Sequence, residues 1–187
     1  MSKKQYIGIT ALVTIIIFGT LYIYLGGLNK VEYTVENVSD YNLVGRHFQG
    51  KASSNEVEAY FFEAKSLLAD GRLNGTLTLV HYNDTTLSEE EVKLFIGVIL
   101  KEGIDALPTD YDRLTIPAQR AMRATIEAHN IVMPSPQTIE QNLREKAEEY
   151  TIRLQNFTIE QYLGEKELLI ATSRPVADAK NEIPDES

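Results

Sequence analysis

The sequence predicts an α+β fold in which two βαββ units form a mainly antiparallel sheet with two helices packed on one face, preceded by one transmembrane helix. Three observations lead to this prediction: a long apolar segment near the N-terminus, the order strand, helix, strand, strand after it, and a second copy of that order. Corresponding positions such as Tyr82 and Tyr162 are 80 residues apart. The 157 residues from Val31 onward are enough for one domain with a substantial core.

Residues 6–25 are the predicted transmembrane anchor. No charged side chain lies between Lys4 and Lys30, and the 20 residues of the segment are dominated by Ile, Leu, Val, Phe and Tyr. A helix of that length, at ~1.5 Å per residue, just spans a hydrocarbon core of roughly 30 Å. A cleaved secretory signal would have a shorter apolar run, of about 7–15 residues, and a small-residue cleavage site. The sequence has neither, so an uncleaved anchor is predicted, followed by a hinge at 26–32.

The charges on the two sides of the anchor predict its orientation. The short segment 1–5 carries Lys3 and Lys4, whereas Glu32 and Glu36 follow the anchor after a single lysine. Cytoplasmic flanks are enriched in Lys and Arg, so the N-terminus is predicted to be cytoplasmic and the domain extracytoplasmic. The chain is therefore expected to be a single-pass membrane protein whose first partner is the lipid bilayer.

Composition excludes several classes of function. From Val31 onward, 27 acidic residues stand against 15 basic ones, a formal net charge of −12 that would repel the phosphate backbone of nucleic acids. There is no cysteine, and the common motifs of hydrolases, metalloproteases and phosphate-binding loops are missing. The three histidines, His47, His81 and His129, are not clustered. No nucleic acid, metal, cofactor or catalytic residue is therefore predicted.

The first unit contains strands wherever β-branched and aromatic residues alternate between turn residues. These strands are predicted at 33–38, 41–49, 76–82 and 92–100. Ser39-Asp40 is the turn between the first two, and the last is apolar enough to be covered on both faces. Between the second and third strands, the capping box Ser53-x-x-Glu56 precedes an amphipathic helix that ends near Asp70-Gly71.

The second unit repeats this pattern. Its strands are predicted at 114–126, 158–163 and 167–173. Its helix has Ser135 as N-cap and Pro136 at the first position, and an apolar stripe continues as far as Leu154. Residues 33–176 are thus the predicted domain, and 177–187 are a polar, acidic tail.

Five short motifs occur in a fixed order along this domain. They are Val44-Gly45-Arg46-His47-Phe48-Gln49-Gly50, His81-Tyr82-Asn83-Asp84, Lys93-Leu94-Phe95-Ile96-Gly97-Val98, Ile116-Pro117-Ala118-Gln119-Arg120 and Tyr162-Leu163-Gly164-Glu165. In that order and at those spacings the chain resembles the GyrI-like small-molecule-binding domain, which is also the effector-binding part of multidrug-responsive transcription activators. The resemblance covers about residues 31–176 and extends to the doubled unit.

The resemblance implies a cleft where the two units meet, lined by aromatic rings and a carboxylate that receive a bulky, often cationic amphiphile. The matching positions are His47, Phe48, Tyr82, Phe95, Glu160 and Tyr162. Ring faces attract cations, and a buried carboxylate gains from pairing with one. The sequence departs from the family in two places: segment 170–175 lacks a carboxylate, and Phe95 stands where an acidic residue is common. Core packing is the alternative role for both tyrosines.

Binding without chemistry is the first functional hypothesis, with a small amphiphile or a protein as the partner. The second is hydrolysis of a small molecule, because some members of this fold use a tyrosine and a glutamate in the same cleft. Tyr162 and Glu160 are two positions apart on a strand and so share a face. The third is a membrane-bound adaptor, as in an animal autophagy receptor with a GyrI-like domain, but the tail after Pro175 has no aromatic residue for a partner motif.

Overall fold

The computed structural model describes residues 3–28, 30–104, 106–127, 132, 136–164 and 167–174. The helices of this part are α1 (Lys3–Tyr24), α2 (Asn55–Ala69) and α3 (Pro136–Glu149). The strands are β1 (Glu32–Asn37), β2 (Tyr41–Lys51), β3 (Gly75–Tyr82), β4 (Glu91–Leu100), β5 (Asp112–Ile116), β6 (Arg120–Glu127), β7 (Phe157–Tyr162) and β8 (Glu167–Arg174). Each unit therefore consists of a strand, a helix and two strands, β2-α2-β3-β4 and β6-α3-β7-β8. The predicted α+β duplication is confirmed.

Helix α1 is apolar around its whole circumference, and its side chains are exposed. One stretch of it, Gln5–Tyr24, is long and apolar enough to cross a membrane. Large side chains such as Ile15 and Phe18 are each more than 60 % exposed, which is unfavourable in water. The length and composition of α1 are those that the anchor prediction requires, and membrane insertion itself stays a prediction.

The eight strands form one sheet in the order β1-β6-β8-β7-β3-β4-β2-β5, and all the pairings along it are antiparallel. The two units meet at the centre, where β3 pairs with β7. The leading strands are exchanged: β1 precedes β2 in the chain but pairs with β6, and β5 precedes β6 but pairs with β2. Strands 33–38 and 41–49, which the sequence places on either side of a turn, are therefore not neighbours in the sheet.

This exchange forces the sheet to curl. Strand β1 lies at one edge and β2 lies six strands away, yet only four Cα steps separate Asn37 from Tyr41. Four steps span at most about 15 Å, whereas six strand spacings in a flat sheet span about 29 Å. The linker between β5 and β6 is equally short, and the two linkers meet where the Val38 N–H donates to the Gln119 carbonyl, 2.9 Å away. The sheet therefore curls until its two edges approach each other.

A pair of glycines lies opposite each other in the curl. Gly45 of β2 pairs with Gly97 of β4. A Cβ on Gly45 would overlap the carbonyl oxygen of Ile96, and one on Gly97 would overlap that of Val44. Only glycine permits this close approach of two backbones, which gives the glycines of two sequence motifs a structural reason.

The curl gives the sheet two different faces, which we call the helix face and the inner face. On the helix face, α2 packs against β2, β3 and β4, and α3 packs against β6. Within the described residues, the buried cluster of the inner face contains no helix residue, yet it joins residues from both ends of the sheet. They are Tyr41, Leu43, Val80, Phe95, Ile116, Ala118, Ala121 and Ile159. The apolar lining of the inner face is thus the core that the curl encloses.

Three details of the sequence prediction need correction. Segment 114–126 is two strands, because the chain turns at 117–119. Pro117 lies in this turn and has no N–H to donate to a neighbouring strand. The N-cap of α2 is Ser54, whose Oγ accepts from the Glu56 N–H at 3.3 Å. Helix α3 ends at Glu149 because Thr151 adopts a left-handed conformation with φ of 56°. The predicted N-cap Ser135 and the tail 177–187 lie outside the described residues.

Candidate ligand-binding site

The seam between the two units lies on the helix face, between α2 and α3. There β3 pairs with β7, with Leu79 opposite Glu160, Leu77 opposite Tyr162, and His81 opposite Thr158. Because alternate residues of a strand point to the same face, these six side chains share the helix face. Four of them are polar, and three of these, His81, Glu160 and Tyr162, come together at the seam.

Glu160 is the central group of this cluster. It is only 8 % exposed, and its Oε2 accepts a hydrogen bond from the Tyr162 hydroxyl at 3.1 Å. Its other oxygen, Oε1, lies 3.4 Å from Nε2 of His81. A carboxylate is rarely buried without partners, and here it has one hydroxyl and one imidazole. The arrangement leaves acceptor capacity on both oxygens for a further donor or cation.

Tyr162 is surrounded by apolar groups from both units. Its ring packs against clusters from α2, from α3 and from the strands beneath them. The nearest aromatic contact is Phe61 of α2, at 5.2 Å between ring centroids and 79° between planes. Phe48 of β2 is buried in the same cluster as Phe61. Burial, together with the neighbouring charge of Glu160, raises the pKa of Tyr162 far above its usual range. Tyr162 is therefore a hydrogen-bond donor at neutral pH.

His81 is the histidine of this site, although it was not among the six residues predicted from the resemblance. Its side chain is 35 % exposed, but the Nε2 atom is buried and has no hydrogen-bond partner among the described residues. The 3.4 Å contact with Glu160 is thus an ion pair of loose geometry. Burial by itself lowers the pKa of His81, and the carboxylates of Glu160 and Glu140 more than offset this, so that the pKa lies above its ordinary value.

Helix α3 contributes a charged rim on one side of the seam. Glu140 accepts a hydrogen bond from the Asn83 side-chain amide at 2.9 Å, which ties α3 to the end of β3. The same Glu140 oxygen accepts from Arg144 at 2.6 Å. On the α2 side, a surface cavity of about 290 Å³ lies at the start of the helix, and Val57 and Phe61 are among its lining residues. Phe61 therefore contacts both this cavity and Tyr162.

The six residues predicted from the resemblance divide between the two faces of the sheet. Phe48, Glu160 and Tyr162 lie on the helix face, as described above. His47, Tyr82 and Phe95 lie on the inner face. Phe95 is fully buried, and the ring of His47 contacts it edge-on at 4.9 Å. The structure thus brings three of the six together at the seam and places the other three on the opposite side of the sheet.

Tyr82 and its neighbours form the rim of the inner face. Its ring lies 6.3 Å from that of Phe157, and Nζ of Lys93 lies 5.8 Å above the ring of Tyr82. The pKa of Tyr82 is raised by burial. None of these groups is acidic, so this set of rings lacks the carboxylate that the seam has.

Comparison with known proteins finds solved structures with a similar fold. No protein-family model matches the chain, and no curated protein matches it significantly. The C-terminal domain of EcmrR is similar, with a TM-score of 0.55 at 12 % identity over 78 % of this chain and 99 % of that domain. SAV2435 bound to tetraphenylphosphonium is similar at a TM-score of 0.50 and 15 % identity, over 80 % of this chain and 98 % of that one. A hydrolase encoded by lin2189 from Listeria innocua is similar with a TM-score of 0.51 at 7 % identity, over 81 % of this chain and 97 % of that one.

Identities this low show a common architecture and not a common activity. The match to the C-terminal domain of EcmrR covers most of this chain and nearly all of that domain. The described chain after α1 therefore has the GyrI-like fold that it shares with the C-terminal domain of EcmrR and with SAV2435.

Proposed function

We propose that this chain is a membrane-anchored binding protein for a small amphiphilic cation, which it holds at the seam between α2 and α3. The observation that carries the proposal is Glu160, a buried carboxylate that shares the helix face with the rings of Tyr162 and Phe61. The other site residues implied by the resemblance, His47, Tyr82 and Phe95, lie on the inner face, and the proposal does not use them.

The chemistry of the seam favours a cation with an apolar body. A carboxylate shielded from water attracts a positive charge more strongly than an exposed one, because the local dielectric is lower. The rings of Tyr162 and Phe61 add attraction through their faces and offer apolar surface to the rest of the ligand. A neutral ligand gains only the second contribution. Binding of a cation in preference to a neutral molecule of the same shape is therefore expected.

The anchor supports this choice of ligand. Seven residues separate Tyr24, the last of α1, from Glu32, the first of β1. Such a linker spans at most about 25 Å, so an inserted α1 would hold the domain within about its own diameter of the bilayer surface. Amphiphiles accumulate at that surface, where the domain would meet them at a raised local concentration. Orientation with the domain outside the cytoplasm is part of this proposal.

Binding can be tested with the full chain in lipid nanodiscs. Tetraphenylphosphonium is a suitable probe, since it is the cation in the SAV2435 structure. We expect calorimetric titration to show saturable binding beyond partition into empty nanodiscs, and we expect Glu160→Gln to weaken it at least about tenfold, the value of a lost ionic partner. Triphenylphosphine oxide, a neutral molecule, should bind both forms equally.

Glu148→Gln is a matched control, because Glu148 is an exposed carboxylate on α3. It should bind the cation as the wild type does. Equal loss in both variants would mean that only overall charge matters, and no saturable binding would refute the small-molecule proposal.

Orientation can be tested because the chain has no cysteine. Glu89→Cys places a single thiol at an exposed position of the turn before β4. A membrane-impermeant maleimide should label it in intact cells. Labelling only after permeabilisation would place the domain in the cytoplasm.

Hydrolysis is the second candidate, because Tyr162 and Glu160 are already hydrogen bonded. In such a reaction Glu160 would take a proton from water and the Tyr162 hydroxyl would donate to the developing oxyanion. Turnover of small esters or epoxides by the full chain should then disappear in Glu160→Gln. Turnover that persists in this variant would exclude the pair.

A further inference from the structure

His81 lies at the seam and has no role in the proposed function. It lies on β3 diagonally across from Glu160 of β7, with 3.4 Å between Nε2 and Oε1. A charge-assisted hydrogen bond is usually about 2.7–2.9 Å long. At 3.4 Å, His81 and Glu160 are close enough to attract each other but do not form such a bond. The buried Nε2 has no hydrogen-bond partner among the described residues. A group in this position competes with any cation that approaches Glu160.

We propose that His81 is an internal competitor of the ligand: its imidazolium neutralises Glu160 in the empty seam, and a cationic ligand binds there as His81 loses its proton. His81 is thus a specificity-determining residue, since it sets the charge that the ligand meets. The inference rests on the proposed function, because it concerns control of the same carboxylate.

The charged groups near His81 come from two elements. Strand β7 supplies Glu160, and α3 supplies Glu140, which acts on His81 from a longer distance. The charge of Glu140 is partly balanced by Arg144, 2.6 Å away. These carboxylates favour the charged imidazole and raise the pKa of His81 above its ordinary value against the effect of burial.

The other elements around His81 bring neutral groups. Leu94 is its partner on β4 and Thr158 its partner on β7. Helix α2 presents the ring of Phe61 to the seam. Within the described residues, Glu160 is therefore the acid that a change in the charge of His81 affects most directly.

The balance of charge predicts a proton release. In the empty seam, the imidazolium and the carboxylate together are neutral. When the ligand's cation pairs with Glu160, the proton leaves Nε2 for the solvent, and the seam with its ligand is neutral again. Affinity should therefore rise with pH by up to about tenfold per unit below the pKa of His81, and level off above it.

Calorimetry of the full chain in nanodiscs tests this directly. Tetraphenylphosphonium is titrated at one acidic and one alkaline pH, each in two buffers of different ionisation enthalpy, which measures the protons released. We expect release approaching one proton per ligand at the acidic pH and little at the alkaline pH. His81→Gln should release none, and its affinity should be independent of pH. At the acidic pH the variant should bind more tightly than the wild type.

Two further measurements keep the result decisive. Glu148→Gln should release protons as the wild type does, since its exposed carboxylate does not face the seam. Should His81→Gln fail to fold, NMR titration of His81 in the wild type should show that its pKa falls when the ligand is bound. Binding without proton release, or an unchanged pKa, would refute the role of His81 and leave the proposed function standing. Absence of binding at any pH would refute both.

Discussion

The two faces of the sheet carry similar aromatic residues and differ in what accompanies them. On the helix face, the Tyr162 hydroxyl donates to the buried carboxylate of Glu160, and the Tyr162 ring contacts Phe61 of α2. On the inner face, Phe95 packs in an apolar core that the curl closes, with no acidic partner. The comparison teaches that rings alone do not mark a binding site. A buried carboxylate beside the rings distinguishes the helix face from the inner face.

Neighbouring residues show how sharply the faces differ. His47 and Phe48 are adjacent in one motif, yet Phe48 is buried under α2 and His47 is exposed on the other side. The alternation of a strand makes this inevitable. A motif of consecutive residues therefore contributes to two environments, and only half of it can line one cleft.

The largest expected effect concerns the curl itself. Gly97→Val should prevent folding or cost more than about 4 kcal/mol in the free energy of unfolding, because its Cβ has no room beside the Val44 carbonyl. Gly103→Val is the control, since nothing lies within 4 Å of a Cβ there. Thermal unfolding of the two variants separates the outcomes. Equal melting temperatures would contradict the requirement for glycine.

The next effect tests whether the inner face is core. Phe95→Ala should lower the free energy of unfolding by about 3–5 kcal/mol, as truncation of a fully buried ring does. The folded fraction should still bind tetraphenylphosphonium at the seam with an affinity within about twofold of the wild type. Denaturant unfolding and calorimetry measure these two quantities. A loss of affinity without a loss of stability would make Phe95 a ligand contact.

A smaller effect compares one hydroxyl on each face. Tyr162→Phe removes the donor to Glu160 and should cost about 1 kcal/mol in unfolding free energy, or more because the carboxylate is buried. Tyr82→Phe, on the rim of the inner face, should change stability by less than about 0.5 kcal/mol. Chemical denaturation of both variants measures the difference. The reverse order would overturn the distinction between the faces.

The smallest effect is the dependence of stability on pH in the empty protein. The pKa of His81 is raised above 6.5, so its charge contributes stability that is fully present below 6.5 and is lost as pH rises through the folded pKa. The melting temperature of the wild type should therefore exceed that of His81→Gln most at acidic pH, and the gap should narrow at alkaline pH. A difference in melting temperature that widens with pH would show that His81 and Glu160 repel each other or do not interact.

The sequence predicted much of this fold and two of the three polar residues that meet at the seam. Its apolar alternation located six of the eight strands as separate segments and merged β5 and β6 into one, and the doubled pattern predicted both helices on one face. Glu160 and Tyr162 could be paired because two positions on a strand share a face. His81 could not be added, since nothing local shows that residue 81 pairs opposite residue 158.

Properties that depend on near neighbours in the chain can be read directly from the sequence. These are the apolar α1, the amphipathic helices, the strand alternation and the acidic charge of the domain, each of which follows from local composition and period. The tertiary structure alone decided the exchange of β1 and β5, the curl at Gly45 and Gly97, and the meeting of His81 with Glu160. Those contacts join residues far apart in sequence. Their physical cause is the burial of two sheet faces at once, which no local pattern encodes.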